Sequence, residues 1–155
     1  MLSEPPVFSL NPEAGKAFVG RVMPAVQPHL DAGDLAGAVD AFFSVVCPGL
    51  WRLLDDADKQ PYRASGPMLV ADLQQPSFAI TPADLAGVRL PVLAIAGLES
   101  DPFLQSTPRV IATAIPSAEL AEFPHCGHVT YAEAPDKFAD AVRRFADKAF
   151  AQVGS

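Results

Sequence analysis

The sequence carries little positive charge. It has 11 lysines and arginines against 18 aspartates and glutamates, which gives a formal net charge of −7 over 155 residues. A protein that binds the phosphate backbone of nucleic acid or an anionic lipid surface needs the opposite balance. We therefore expect neither nucleic acid nor a membrane among its partners.

Long apolar runs and a readable export signal are also missing. The longest apolar run, Leu90 to Leu98, contains Pro91 and Gly97 and is too short to cross a bilayer. The N-terminal sequence MLSEPPVFSL has no basic stretch and no small-residue cleavage site. The two cysteines, Cys47 and Cys126, do not have the spacing of metal ligands. These absences predict a cytoplasmic protein without a cofactor or metal.

Proline, by contrast, is abundant, and so are apolar residues. The chain has 16 prolines, and 50% of its residues are hydrophobic. The apolar content excludes disorder of the highly charged kind and predicts a packed core. The prolines predict many short elements and no long helices.

The first half, up to about Pro82, has helical signals. Phe18, Val22 and Val26 recur at helical spacing and predict a helix that Pro24 and Pro28 interrupt. Further helical segments follow, the first of them a helix capped by Asp34 and ending at Cys47 before a Pro-Gly pair.

The second half alternates between strand and helix. Leu90 to Gly97 is a continuous apolar run that ends at glycine, a pattern typical of a parallel strand buried on both faces. A helix is predicted to begin at Pro108, a second strand at Ala118 to Phe123, and a last helix from Pro135 into Ala149. This order predicts an α/β fold with a short parallel sheet.

The densest group of reactive side chains follows the second predicted strand, in the loop Pro124-His-Cys-Gly-His128. The preceding strand ends in Gly97-Leu-Glu-Ser-Asp101, so carboxylates leave the same edge of the sheet. Ligands and catalytic groups collect at this edge in open α/β sheets. A carboxylate beside His128 would orient the imidazole as a general base.

These segments, together with Glu133-Ala-Pro-Asp-Lys-Phe138, resemble the C-terminal portion of the α/β-hydrolase fold family. The resemblance implies a partial α/β-hydrolase fold with about three parallel strands. It divides the chain into a strand end at 1–10, a helical cap at 11–81 and a C-terminal core portion at 82–155. Leu2-Ser-Glu-Pro-Pro6 looks like the end of the strand that precedes the cap, which implies that the chain begins inside the fold.

The resemblance also assigns candidate roles. His128 matches the catalytic histidine of the family. The usual position of the acid falls on Ser100, which leaves Asp101, one residue on, as one candidate acid. Glu4 is an equal candidate, because some relatives, certain haloalkane dehalogenases among them, place the acid after the strand that precedes the cap. Glu99 is third.

A nucleophile is absent from the sequence. No G-x-S-x-G elbow occurs, and Ser65-Gly66-Pro67 has neither the preceding strand nor the first glycine. Cys126 is expected to be a packed turn residue. The sequence thus predicts a truncated hydrolase for esters or similar small apolar substrates, which needs a nucleophile from a missing N-terminal half. The alternative is a non-catalytic module that binds a ligand or forms a homodimer through its exposed sheet edge.

Overall fold

The computed structural model of the chain describes residues 1–75 and 79–153. Three short strands lie in one sheet: β1 (Leu2–Ser3), β2 (Val92–Gly97) and β3 (Ala118–Phe123). The helices are α1 (Pro12–Asp31), α2 (Leu35–Val46), α3 (Pro48–Leu53), α4 (Asp56–Arg63), α5 (Gly66–Gln74), α6 (Pro82–Leu85), α7 (Pro102–Ala114), α8 (Thr130–Glu133) and α9 (Pro135–Val153). No helix within the described ranges is long and apolar enough to cross a membrane.

The sheet is parallel throughout, in the order β1-β2-β3. Between β1 and β2, Leu2 lies opposite Ala94, and between β2 and β3, Val92 lies opposite Ala118. The carboxyl ends of all three strands therefore meet at one edge. This arrangement confirms the predicted α/β class and the short parallel sheet, while the relation to α/β hydrolases stays a prediction.

Helices cover both faces of the sheet. On one face, Leu93, Ile95 and Phe123 pack against α9. On the other face, Ala94 packs against Ile111 and Ile115, the latter directly after α7. Burial on both faces explains why β2 is apolar at every position, since neither face is in contact with water.

The helices of the first half form a second layer that rests on α7. Phe103 of α7 is stacked on Phe8, with ring centroids 4.7 Å apart, and contacts Phe18 of α1 at 5.3 Å. Val26 and Ala38 join α1 to α2 in the same core. The predicted cap range, 11–81, includes residues 76–78, and the predicted core portion includes 154–155; both lie outside the described residues.

The prediction that proline interrupts the first helix was wrong. Helix α1 continues through Pro24 and Pro28 to Asp31. Both prolines lie on the exposed side, where water can bond the carbonyl groups that lose their intrahelical donors. The opposite side buries Phe18, Val22 and Val26. Burial of that face outweighs the missing hydrogen bonds, so long helices occur despite the prolines.

The predicted start of the helix at Pro108 was also wrong. Helix α7 begins at Pro102, and Asp101 is its N-cap, accepting a hydrogen bond from the backbone N–H of Phe103 at 2.9 Å. Proline at the first helical position needs no backbone donor, so Asp101-Pro102 is a favourable start. Pro108 lies within the helix and is buried.

Candidate active site

Glu4 is a fully buried carboxylate at the end of β1. Its Oε1 accepts a hydrogen bond of 2.7 Å from the backbone N–H of Gly97, and its Oε2 accepts one of 2.6 Å from the hydroxyl of Ser100. Its own N–H continues the ladder to Ile95. A buried charge is tolerated only where such partners replace water, and here donors satisfy both oxygens.

His128 supplies the third hydrogen bond to this carboxylate. Its Nδ1 lies 2.8 Å from Oε2 of Glu4. An ionised carboxylate can only accept, so the ring donates through Nδ1–H, and a neutral ring in this arrangement has its lone pair on Nε2. The imidazole is 29% exposed, whereas Glu4 is 0% exposed. The imidazole is thus partly accessible, while the carboxylate that it bonds is protected from water.

The backbone of Glu4 adopts an unusual conformation. Its φ is 41°, in the left-handed region that non-glycine residues rarely occupy. This conformation ends β1 and accompanies the turn of the side chain toward Gly97 and His128. Backbone strain of this kind persists where surrounding contacts hold it, and three hydrogen bonds hold Glu4.

The loop that carries His128 is held against the end of β2. The backbone N–H of Glu99 bonds the carbonyl of Cys126 at 2.8 Å. A Cβ at Gly97 would collide with backbone oxygens of this loop, so only glycine fits there. The left-handed residue of the loop is His125, with φ of 61°. Gly127 donates its N–H to Glu133 at 2.8 Å.

The other two candidate acids have different partners. Asp101 caps α7 and pairs with Arg21 of α1 at 2.6 Å. Glu99 is an exposed side chain that contacts His125 at 3.1 Å. The structure therefore brings together Glu4 and His128, and it engages Asp101 and Glu99 elsewhere. Ser100, which occupies the usual position of the acid in the resemblance, donates its hydroxyl hydrogen to Glu4.

The two cysteines are poor nucleophiles. Burial raises the pKa of Cys47 to about 11, and burial also raises the pKa of Cys126. Both thiols are free and buried. A thiol with a raised pKa is protonated near neutral pH and therefore unreactive.

Among residues 1–75 and 79–153, no side chain forms a hydrogen bond with Nε2 of His128.

A cavity of about 330 Å³ lies between the first-half helices and the site, and His128 is part of its wall. The walls come from α1, α2 and α5, with further contributions from Pro6, Phe8 and Leu104. Most of the lining side chains are apolar, and the polar ones are Ser65, Asp72 and His128. An apolar pocket with few polar groups is the usual form of a small-molecule site.

Comparison with known proteins adds no family. No protein-family model matches the chain, and no curated protein matches it at a significant level. The functional interpretation therefore depends on the residues themselves. Sequence reasoning missed the contact between Ser100 and Glu4; the signal was that Ser100 stands where the resemblance places an acid.

Proposed function

We propose that this chain supplies the acid and base half of an α/β-hydrolase active site. The observation that carries the proposal is the hydrogen bond between buried Glu4 and accessible His128 at the carboxyl edge of a parallel sheet. In this proposal Glu4 orients the imidazole and stabilises the positive charge that it acquires. His128 takes a proton from a nucleophile through Nε2 and returns it to the leaving group.

The nucleophile comes from a polypeptide segment outside these 155 residues. The sequence has no G-x-S-x-G elbow, and both thiols are buried with raised pKa values. Within the described ranges, β1 pairs only with β2, so its outer edge is open to a further strand. A strand added there would bring its own carboxyl end beside Glu4, which is where an elbow is needed. We infer an ester or similar small apolar substrate, since the cavity beside His128 is apolar.

The test is complementation. The chain is co-expressed with the segments encoded on either side of it in its genome, and a panel of p-nitrophenyl esters is assayed. We expect turnover by the complemented protein, and we expect Glu4→Gln or His128→Ala to reduce kcat/KM at least about a thousandfold. The matched variant Asp101→Asn, which keeps a helix cap, changes kcat/KM only a few-fold.

Three outcomes would contradict the proposal. Turnover by the chain alone that disappears in His128→Ala would show a nucleophile within these residues. Loss of turnover in Asp101→Asn but not in Glu4→Gln would assign the acid to Asp101. No turnover by the complemented protein would favour the second candidate, a non-catalytic module that binds an apolar ligand, which the same cavity supports.

A further inference from the structure

The lining of the cavity beside His128 has a distinctive charge pattern. Within the part of the chain that the structure describes, the lining contains no lysine or arginine. Its one carboxylate, Asp72, is on an exposed residue of α5. Arg21 lies on α1, between lining residues Val19 and Val22, but it is paired with Asp101 instead. A ligand with a carboxylate or phosphate inside this cavity would therefore lose its hydration without gaining a cation.

The polar groups available to a ligand are few. The hydroxyl of Ser65 donates to the carbonyl of Tyr62 at 2.6 Å, so its proton is already used. His128 donates Nδ1–H to Glu4, which leaves Nε2 as the free polar atom at its end of the cavity. In the neutral ring Nε2 accepts a hydrogen bond and cannot give one, so most of what the walls offer a ligand is hydrocarbon.

The volume gives a scale for the ligand. An enclosed apolar cavity of about 150 Å³ holds one benzene molecule. By that ratio 330 Å³ covers roughly a dozen non-hydrogen atoms. Met23 and Met68 are in the lining, and methionine adapts to the shape of its neighbours. The lining therefore selects the charge of the ligand more strictly than its shape.

We propose that the cavity binds an uncharged, largely hydrocarbon molecule of about that size. That this ligand is the substrate rests on the proposed function, whereas its binding does not. The chain alone should bind it, because all the lining residues belong to this chain.

The experiment titrates the chain with three probes and follows them by NMR or calorimetry. Methyl nonyl ketone is neutral, has the required size and cannot be hydrolysed. We expect it to bind at one site, more than about a hundredfold more tightly than acetone, which lacks the hydrocarbon. Undecanoate, which matches it in length but carries a negative charge, should bind at least about tenfold more weakly.

Paired variants locate the binding site. Leu73→Asp places a charge in the lining and should weaken ketone binding at least about tenfold, whereas Leu53→Asp makes the same change outside this cavity and should not. The two leucines are 37% and 83% exposed, so neither change empties the core. His128→Gln should change ketone binding only a few-fold, because the hydrocarbon supplies most of the affinity.

Each outcome bears on one claim. Failure of the ketone to bind, equal binding of undecanoate, or equal effects of the two leucine variants would overturn the ligand assignment. None of these results touches the acid and base proposal, which is judged by turnover of the complemented protein. Binding of the ketone without turnover in any complex would keep the ligand assignment and remove the hydrolase.

Discussion

The segment after β1 and the segment after β2 each carry a carboxylate, and the fold places the two in different surroundings. Glu4 is fully buried and accepts three hydrogen bonds, one of them from His128. Asp101 leaves the same sheet edge but caps α7 and pairs with Arg21. Position at the edge of a sheet is therefore not enough to make a carboxylate part of a site. Whether a carboxylate becomes part of a site depends on the direction of its side chain and on its hydrogen-bond partners.

The largest effect should come from removal of the buried carboxylate. Glu4→Ala leaves the N–H of Gly97, the hydroxyl of Ser100 and the Nδ1–H of His128 without their acceptor. We expect the free energy of unfolding to fall by about 2 to 4 kcal/mol, measured by urea denaturation. A loss below about 1 kcal/mol would mean that the hydrogen bonds to Glu4 contribute little to stability, and Glu4 would then not differ from Asp101 in this respect.

A smaller effect is expected at Asp101. Asp101→Ala removes the N-cap and an exposed ion pair and should cost about 1 kcal/mol in the same urea experiment. Asp101→Asn should cost less, because asparagine is also a good N-cap and the pair with Arg21 is worth little. A cost for Asp101→Ala equal to that of Glu4→Ala would mean that the two segments do not differ in stability.

The smallest effect concerns pH. Hydrogen bonds from the hydroxyl and then the backbone N–H of Thr81 lower the pKa of Asp84, another helix-capping carboxylate. A carboxylate whose pKa is lowered by folding stabilises the folded state at any pH above its unfolded pKa. This stabilisation is lost as the pH falls through the lowered pKa. The urea midpoint of Asp84→Asn should therefore fall less than that of the unsubstituted protein between about pH 6 and pH 3. Equal falls would show that this cap does not contribute to acid sensitivity.

Local patterns predicted much of the fold. Strand β3 was predicted at its observed bounds, Ala118–Phe123, between Pro116 and Pro124. Asp34 was predicted as a cap and bonds the N–H of Gly37. The continuity of α1 through Pro24 could not be predicted from local rules, since it depends on burial of the opposite face against α2 and α7.

The candidate site was predicted only in part. His128 stood out because it follows a strand at the edge where ligands collect. The choice between Glu4 and Asp101 could not be made from sequence, because it depends on contacts between residues more than 90 positions apart. The left-handed backbone of Glu4 has no local signal such as glycine or asparagine.

The central claim is that Glu4 holds the ring of His128 with its proton on Nδ1, and the tautomer of the neutral ring tests it most directly. The nitrogen chemical shifts of His128 in the labelled chain report which nitrogen carries the proton. The account predicts Nδ1–H in the unsubstituted protein and in Asp101→Asn, and loss of that preference in Glu4→Gln. A neutral ring protonated on Nε2, or a tautomer that changes with Asp101 and not with Glu4, would contradict it.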